Sequence, residues 1–532
     1  MAARLTTYVV VGIVAATLIA GLIVGAQRDD NSGPVDLIIH NAHVYTADAH
    51  GTMAQAIAVR GNTILRVGSD RDVLRYRRPQ TEVIDANGGA VLPGFNDAHA
   101  SLIAAGLLQQ QVNLTGAATV EDVQQRIAGW ADAHPEAPWI TGHGWTQDSF
   151  ADATKAQLDA VVADRPVVVL SQDRTVAWVN SAALRAANIT RKSRIEASDI
   201  ARDRRGDPTG VLRGAAVALV RNAIPAPSRD DRAEALAAAL DEAPRHGITS
   251  VHDFVEQMPD LDFYKDLRTD TRAHEDVRIY LGITVSSGED ASARLESLAT
   301  HFPDDPSIKA GVAYVRGAAS VADLQRTVAE IDRQKWQVAI EAGDAESVHN
   351  ALEALESAER VNTGRSADRR DRLEGVRDVQ AADLRAFKRG RWLAVLFPSE
   401  RLNVSDDARA DAPSLDVLHR PARSLQAAGA HLAFGTNAPE GLPDPLASIA
   451  ALISRHTVPA EEITLAAAIN AWTSGAAWAS FDEHRKGTLE HGMLADLVIL
   501  SDDIFKMPAE SIARATVEVT VIDGRVVYRR KT

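Results

Sequence analysis

The sequence predicts an α/β protein in which a parallel sheet, open or closed into a barrel, is joined to a smaller β domain and preceded by one apolar segment. Three observations lead to this fold class. Short β-rich runs occupy both ends of the chain, strand-like and helical runs alternate between them, and a long apolar run lies near the start. Because 532 residues are too many for one small core, we expect a barrel-sized domain with additions.

The apolar run near the start, residues 7–26, is uncharged and long enough to cross the hydrocarbon core of a bilayer. It exceeds the apolar core of a signal peptide, about 7–15 residues, although residues 24–26 resemble a weak cleavage site. We predict one N-terminal transmembrane helix, with residues 1–34 as anchor and linker. Arg4 before the run predicts a single-pass membrane protein whose main domain is extracytoplasmic.

The two β-rich ends are residues 35–92 and residues 485–532. The first contains short apolar runs separated by turn signals such as Arg60-Gly61-Asn62, and the second contains strand patterns joined at Asp523-Gly524. Strand-rich ends around a different middle predict that the two termini meet in one composite β domain.

The middle of the chain, residues 93–484, alternates between apolar strand candidates and helical patterns. This alternation is typical of βα units and a parallel sheet. Gly247, between a Leu/Ala-rich helical run and the strand candidate ITSVHDF, is a good helix stop.

Composition excludes several function classes. The chain has no cysteine, which rules out disulfides, thiolate metal sites and a cysteine nucleophile. A formal net charge of -15 makes nucleic acid an unsuitable partner, because an acidic surface repels phosphates. Serine-hydrolase, P-loop and dinucleotide-binding motifs do not occur in the sequence.

One segment, VLPGFNDAHAS at residues 91–101, joins the first β region to the alternating region and carries a family resemblance. It resembles the PGFID-x-H-x-H signature of the amidohydrolase superfamily. Later segments resemble that family's motifs in the same order, and the subgroup most similar is the amidohydrolase 3 type, which includes N-substituted formamide deformylases and exoenzyme-regulatory-like proteins. These segments are DRTVAWVNS (173–181), GDPTGVLR (206–213), GITSVHD (247–253), QVAIEAGD (337–344), RLEG (372–375), GTNAP (435–439) and KGTLEHGMLADLVIL (486–500).

The resemblance implies a (β/α)8 TIM-type barrel over residues 93–484, with an insertion at about residues 105–235. It implies a β-sandwich built from both chain ends. It also implies hydrolysis of non-peptide C–N bonds, such as amides, with one or two divalent metals of the zinc type.

Most positions that would hold or serve this metal carry other side chains. Asn437 stands at the catalytic aspartate position and, being neutral, cannot act as a base. His99 is the only side chain that matches a ligand of the family, and Glu341 is a second candidate ligand. A zinc site needs three or four ligands. The expected cofactor is therefore none, or a zinc-like divalent metal if the site is rebuilt. By family position the pocket is lined by Asp97, His99, Ser101, Arg174, Thr175, Arg316, Glu341, Gly375 and Asn437.

We therefore predict a catalytically impaired pseudoenzyme with a binding or regulatory role at a membrane, for which a small amide-like molecule is a candidate ligand. The alternative is an active hydrolase whose rebuilt metal site uses His99 and Glu341, with Lys309 or a loop carboxylate. Because a buried carboxylate is costly without an opposite charge, we expect Glu341 to pair with Arg174 or Arg316 instead.

Overall fold

The computed structural model describes residues 34–531 except 147–149, 151, 197, 270–276, 318–319, 365–367, 399–416, 440–443 and 455–458. The predicted transmembrane helix lies outside these residues. Among the residues that are described, no helix is long and apolar enough to cross a membrane.

Eight parallel strands form the central sheet and pair in chain order. The sheet closes beyond the last strand, where the Asn437 N–H donates to the His99 carbonyl and the Ser101 N–H to the Ala438 carbonyl, both at 2.9 Å. The predicted TIM-type α/β barrel is thus confirmed. Its strands are β1 Phe95–Ala100, β2 Ile248–Val255, β3 Arg278–Ser286, β4 Ile308–Arg316, β5 Gln337–Glu341, β6 Arg372–Glu374, β7 Leu393–Leu396 and β8 His431–Phe434.

The closure depends on a close approach between β1 and the segment after β8. A Cβ atom on Gly435 would lie 2.7 Å from the His99 backbone nitrogen and 2.9 Å from the His99 Cβ. Only glycine lets the two backbones come this close.

Helices follow the strands and cover the outside of the barrel, as βα units require. Gly247, with φ of +74°, ends the helical turn before β2, as predicted. Asp344 caps the helix after β5 by accepting hydrogen bonds from two backbone N–H groups. The helices are Arg229–Glu242 before β2 and, after β2 to β8, Leu261–Thr269, Ser292–His301, Val321–Arg333, Ala345–Val361, Leu384–Gly390, Ala422–Ala428, Pro445–Ile453, Leu465–Trp472 and Ser474–Ala479.

Both ends of the chain share one six-stranded sheet, because Leu497–Leu500 pairs antiparallel with Ala90–Pro93. A four-stranded sheet shares its apolar core through Ile39, Ile57 and Leu497. The six strands are His43–Tyr45, Met53–Ala54, Ala90–Pro93, Leu497–Leu500, Val517–Ile522 and Arg525–Arg529, and the four are Leu37–His40, Ala56–Arg60, Thr63–Gly68 and Glu82–Asp85.

A second six-stranded sheet lies between β1 and β2 in the chain. Trp145 and Trp178 are buried in its core. Its strands are Val112–Asn113, Ile140–Trp145, Val167–Ser171, Val176–Val179, Ile200–Arg202 and Pro208–Arg213, and the nearby helices are Leu102–Gln109, Val120–Ala133, Lys155–Asp159, Ser181–Ala186 and Gly214–Ala223.

Candidate functional site

His99 lies near the C-terminal end of β1, at the barrel end where enzymes of this fold place their active sites. Its Nδ1 is 3.1 Å from Glu374 Oε2, and because a carboxylate only accepts, Nδ1 donates this hydrogen bond. The rings of Phe254, Tyr314 and Phe397 surround it, with centroids 4.6, 5.0 and 4.9 Å from the imidazole. The imidazole is therefore enclosed on several sides by aromatic carbon.

Arg372 places a fully buried guanidinium beside this group. Its Nε donates to Glu374 Oε1 at 2.6 Å, Nη1 to His252 Nδ1 at 2.9 Å and Nη2 to the Ala98 carbonyl at 2.5 Å. One side chain of β6 thus binds β1 and β2 across the barrel interior.

In this network the positive charge of Arg372 balances the negative charge of Glu374. Burial alone would raise the pKa of Glu374, but the charge of Arg372 and the hydrogen bond from His99 outweigh it and hold the pKa below the usual range. Burial, followed by the charge of Arg372, lowers the pKa of His252 well below its ordinary value. The His252 imidazole is therefore neutral and can accept the Arg372 hydrogen bond.

Strand alternation explains why these side chains meet. Residues two apart on a strand share a face, which puts His252 with Phe254 on β2 and Arg372 with Glu374 on β6. Sequence reasoning missed Arg372 and Glu374 as residues of the site. The period-two spacing of a charged pair in a buried strand was the available signal.

Gly375 follows β6 at the position where the family resemblance implies a histidine. Its φ is +75°, and a Cβ atom there would lie 2.9 Å from Cε2 of Phe397. The Phe397 ring thus occupies the space into which a side chain at this position would extend.

Arg316 and Glu341 lie at the C-terminal ends of β4 and β5. The expected pairing is present, with Arg316 Nε 3.8 Å from Glu341 Oε1, while Arg316 Nη1 also donates to Glu256 Oε1 at 3.0 Å. Both partners are about half exposed, at 53% and 47% of their side chains. The expectation of a buried Glu341 was therefore wrong, and its carboxylate is engaged by Arg316 and the Gly317 N–H, not by His99.

The contact between β1 and the segment after β8 involves Asp97, Ser101 and Asn437. Asp97 accepts hydrogen bonds from the backbone N–H groups of His99 and Thr436 and from the Thr436 hydroxyl. Burial raises the pKa of Asp97 to about 6. Ser101 is the N-cap residue of helix Leu102–Gln109. Asp97 and the backbone groups of Ser101 and Asn437 thus hold β1 against the segment after β8.

Arg174 and Thr175 lie in the turn between strands Val167–Ser171 and Val176–Val179. The exposed Thr175 is held by Asp173, which accepts from its N–H at 3.1 Å and from its hydroxyl at 2.9 Å. Arg174 reaches the barrel, where Nη2 donates to the Pro439 carbonyl at 3.3 Å. Of these two, only Arg174 contacts the barrel mouth.

Lys309 lies at the opposite end of the barrel. It is the second residue of β4, and its Nζ is 2.7 Å from Asp482 Oδ1. The hypothesis that Lys309 contributes to a site with His99 is wrong, because a nine-residue strand separates its start from the mouth.

The side chains around His99 do not fit a zinc-type metal. A ligating histidine commonly donates its second ring N–H to a carboxylate, as His99 does, but a zinc site needs about three protein ligands. Glu374 is already held by Arg372. In the parts of the chain that the structure describes, no three His, Asp or Glu side chains converge in a way that could hold a metal ion.

The comparison with known families confirms the resemblance to the amidohydrolases. The amidohydrolase family model matches residues 82–528. The chain belongs to the amidohydrolase family. Two relatives are each 26% identical to this chain over 93% of its length. They are the amidohydrolase YtcJ of Bacillus subtilis, of which the match covers 99%, and the N-substituted formamide deformylase of Arthrobacter pascens, of which it covers 98%.

A solved structure gives the same fold. The uncharacterized metal-dependent hydrolase from Pyrococcus furiosus superposes with a TM-score of 0.67 at 21% identity, covering 88% of this chain and 99% of that one. This amidohydrolase-family chain therefore shares a metal-dependent hydrolase fold, while its own residues around His99 differ from a metal centre.

Proposed function

We propose that this amidohydrolase-family protein is catalytically impaired and has a binding or regulatory role. The observation that carries the proposal is the buried Arg372 guanidinium, together with the three aromatic rings around His99. A metal cation beside a buried guanidinium would meet like charge in a low-dielectric interior, where repulsion is strong. The carboxylate that is hydrogen-bonded to the His99 imidazole, Glu374, is neutralised by that same guanidinium.

The alternative, an active hydrolase rebuilt around His99 and Glu341, has less support. Glu341 is about half exposed and bonded to Arg316. Hydrolysis also needs a group that moves protons between water and leaving group. The aspartate position for this task is Asn437, and the remaining Asp97 is occupied by hydrogen bonds that join β1 to the Thr436 segment.

The direct test is a hydrolysis assay on amides and N-substituted formamides. The protein is assayed after incubation with zinc, manganese or iron, beside its His99→Ala variant. The Arthrobacter pascens deformylase serves as the positive control. We expect wild-type protein to show no turnover above that of His99→Ala. Metal-dependent turnover that disappears in His99→Ala would refute the proposal.

We also propose that residues 7–26 tether the protein to a membrane, on the basis of their length and lack of charge. The test separates membranes from soluble material and washes the membranes at alkaline pH. Full-length protein is expected to stay with the membranes, and a chain lacking residues 1–33 to leave them. Full-length protein in the soluble fraction would contradict the tether.

A further inference from the structure

The N-terminal end of the barrel, opposite His99, contains a cavity of about 500 Å³. This volume lies within the range of small-molecule sites, roughly 300–1,000 Å³. The cavity lies beside the starts of β3, β4 and β5 and next to the segment after helix Ser474–Ala479. Its lining includes Tyr280, Asp304, Lys309, Lys335, Asp368 and Phe481.

The acidic groups at this cavity are neutralised by neighbouring cations. Asp304 forms two hydrogen bonds with Arg485, at 2.9 and 3.1 Å. Asp368 is paired with Arg370 at 3.0 Å. The carboxylates therefore leave little negative charge to attract a cationic ligand.

The two lysines at the cavity differ in how far their charges are neutralised. The buried Lys309 Nζ is 2.7 Å from Asp482 Oδ1 and 3.7 Å from Asp304 Oδ1, but the Asp482 carboxylate also lies 3.8 Å from Lys486. The exposed Lys335 has its side-chain ammonium in no ion pair or hydrogen bond among the residues that the structure describes. The ion pairs around the cavity join Asp304, Asp368, Asp482 and Glu483 to Lys309, Lys486, Arg370 and Arg485, so that, among these described groups, Lys335 supplies the positive charge in excess.

Aromatic rings supply an apolar surface beside these lysines. Tyr280 is buried and directs its hydroxyl to Gln337 Oε1 at 3.2 Å, which leaves its ring in the cavity wall. Phe481 is 40% exposed although it is large and apolar. The Arg370 guanidinium lies 4.4 Å from the Phe481 ring centroid and steadies it.

We propose that this cavity binds a small organic anion, a carboxylate attached to a flat apolar group. Lys335 and Lys309 bind the carboxylate, and Phe481 and Tyr280 contact the apolar part. The inference goes beyond the proposed function and does not depend on it, because the cavity lies at the other end of the barrel from His99.

The test measures binding of 3-fluorobenzoate to the full-length protein by fluorine NMR. Two analogues of the same shape, neutral 3-fluorobenzamide and cationic 3-fluorobenzylamine, report the role of charge. We expect saturable binding of the benzoate, at least about tenfold tighter than either analogue, which is the usual effect of one charge-assisted hydrogen bond. No saturable binding, or equal binding of the benzamide, overturns the proposal.

Variants locate the bound molecule. Lys335→Gln is expected to weaken binding by about tenfold, whereas Lys192→Gln, the matched change at an exposed lysine of the inserted sheet region, leaves it unchanged. Phe481→Gly tests the ring, since glycine accepts the Phe481 φ of +58° without strain. Equal losses in Lys335→Gln and Lys192→Gln, or full affinity in Lys335→Gln, would overturn the assignment. Circular dichroism verifies that each variant is folded.

Discussion

Replacement of Arg372 by methionine should destabilise the barrel strongly. The guanidinium binds three partners, namely Glu374, His252 and the Ala98 carbonyl, and all are buried. Methionine preserves much of the side-chain volume but leaves the Glu374 carboxylate without its cation. Breaking a buried ion pair from one side costs about 3–5 kcal/mol.

The magnitude can be converted into a melting temperature. A cooperative unit on the order of 400 residues has an unfolding entropy of roughly 0.8 kcal/mol/K, so a loss of about 4 kcal/mol lowers Tm by roughly 5 °C. Calorimetry of wild type and Arg372→Met measures this shift. The matched control is Arg333→Met, which removes the exposed pair with Glu330 and should cost less than about 1 kcal/mol.

A second change separates charge from packing. Leucine at position 374 in the Arg372→Met background removes the unpaired carboxylate and should recover part of the lost Tm, because apolar replacement of a whole buried pair is often tolerated. If Arg372→Met shifts Tm no more than Arg333→Met, the buried network described for the barrel interior is refuted.

Three further changes have distinct expected results. Gly435→Ala lowers the free energy of unfolding by about 1–3 kcal/mol in urea titrations, because the added methyl group would lie 2.7 Å from a backbone nitrogen. The control Gly129→Ala, on an open helix face, does not lower it. Equal effects of the two changes would contradict the close contact between β1 and the segment after β8. Burial raises the pKa of Asp253 to about 6, above its unfolded value of about 4, so its stabilising contribution is present below about pH 4 and lost as pH rises through about 6. In Asp253→Asn, the decrease of Tm between about pH 4 and 7 that Asp253 causes should disappear. A Tm profile identical to that of the wild type would contradict the raised pKa of Asp253. Arg316→Gln changes the free energy of unfolding by less than about 1 kcal/mol, because the ion pair of Arg316 with Glu341 is half exposed. A loss above about 2 kcal/mol would contradict the exposed position of this ion pair.

The alternating α/β organisation could be predicted from the sequence because its signals are local, and closure into a barrel was implied by the family resemblance. The PGFNDAH segment, the alternation of strands and helices and Gly247 as a helix stop each depend on nearby residues. The missing ligands at Ser101 and Gly375 could also be identified by position along the motifs.

The network in the barrel interior could not be predicted in the same way, because its contacts join residues far apart in the chain. His99 and Glu374 are separated by 275 positions, and His252 and Arg372 by 120. Lys309 was misplaced because the register of β4 was uncertain, and the structure puts it at the start of that strand. Which strand end a side chain occupies follows from the whole sheet, not from its own segment.

The central claim is that the side chains around His99 no longer form a metal centre. Equilibrium dialysis against zinc, followed by metal analysis of the washed protein, tests it directly when wild type and His99→Ala are compared. The account predicts far less than one zinc per chain and no difference between the two proteins. Near-stoichiometric zinc in wild type that is lost in His99→Ala would contradict it.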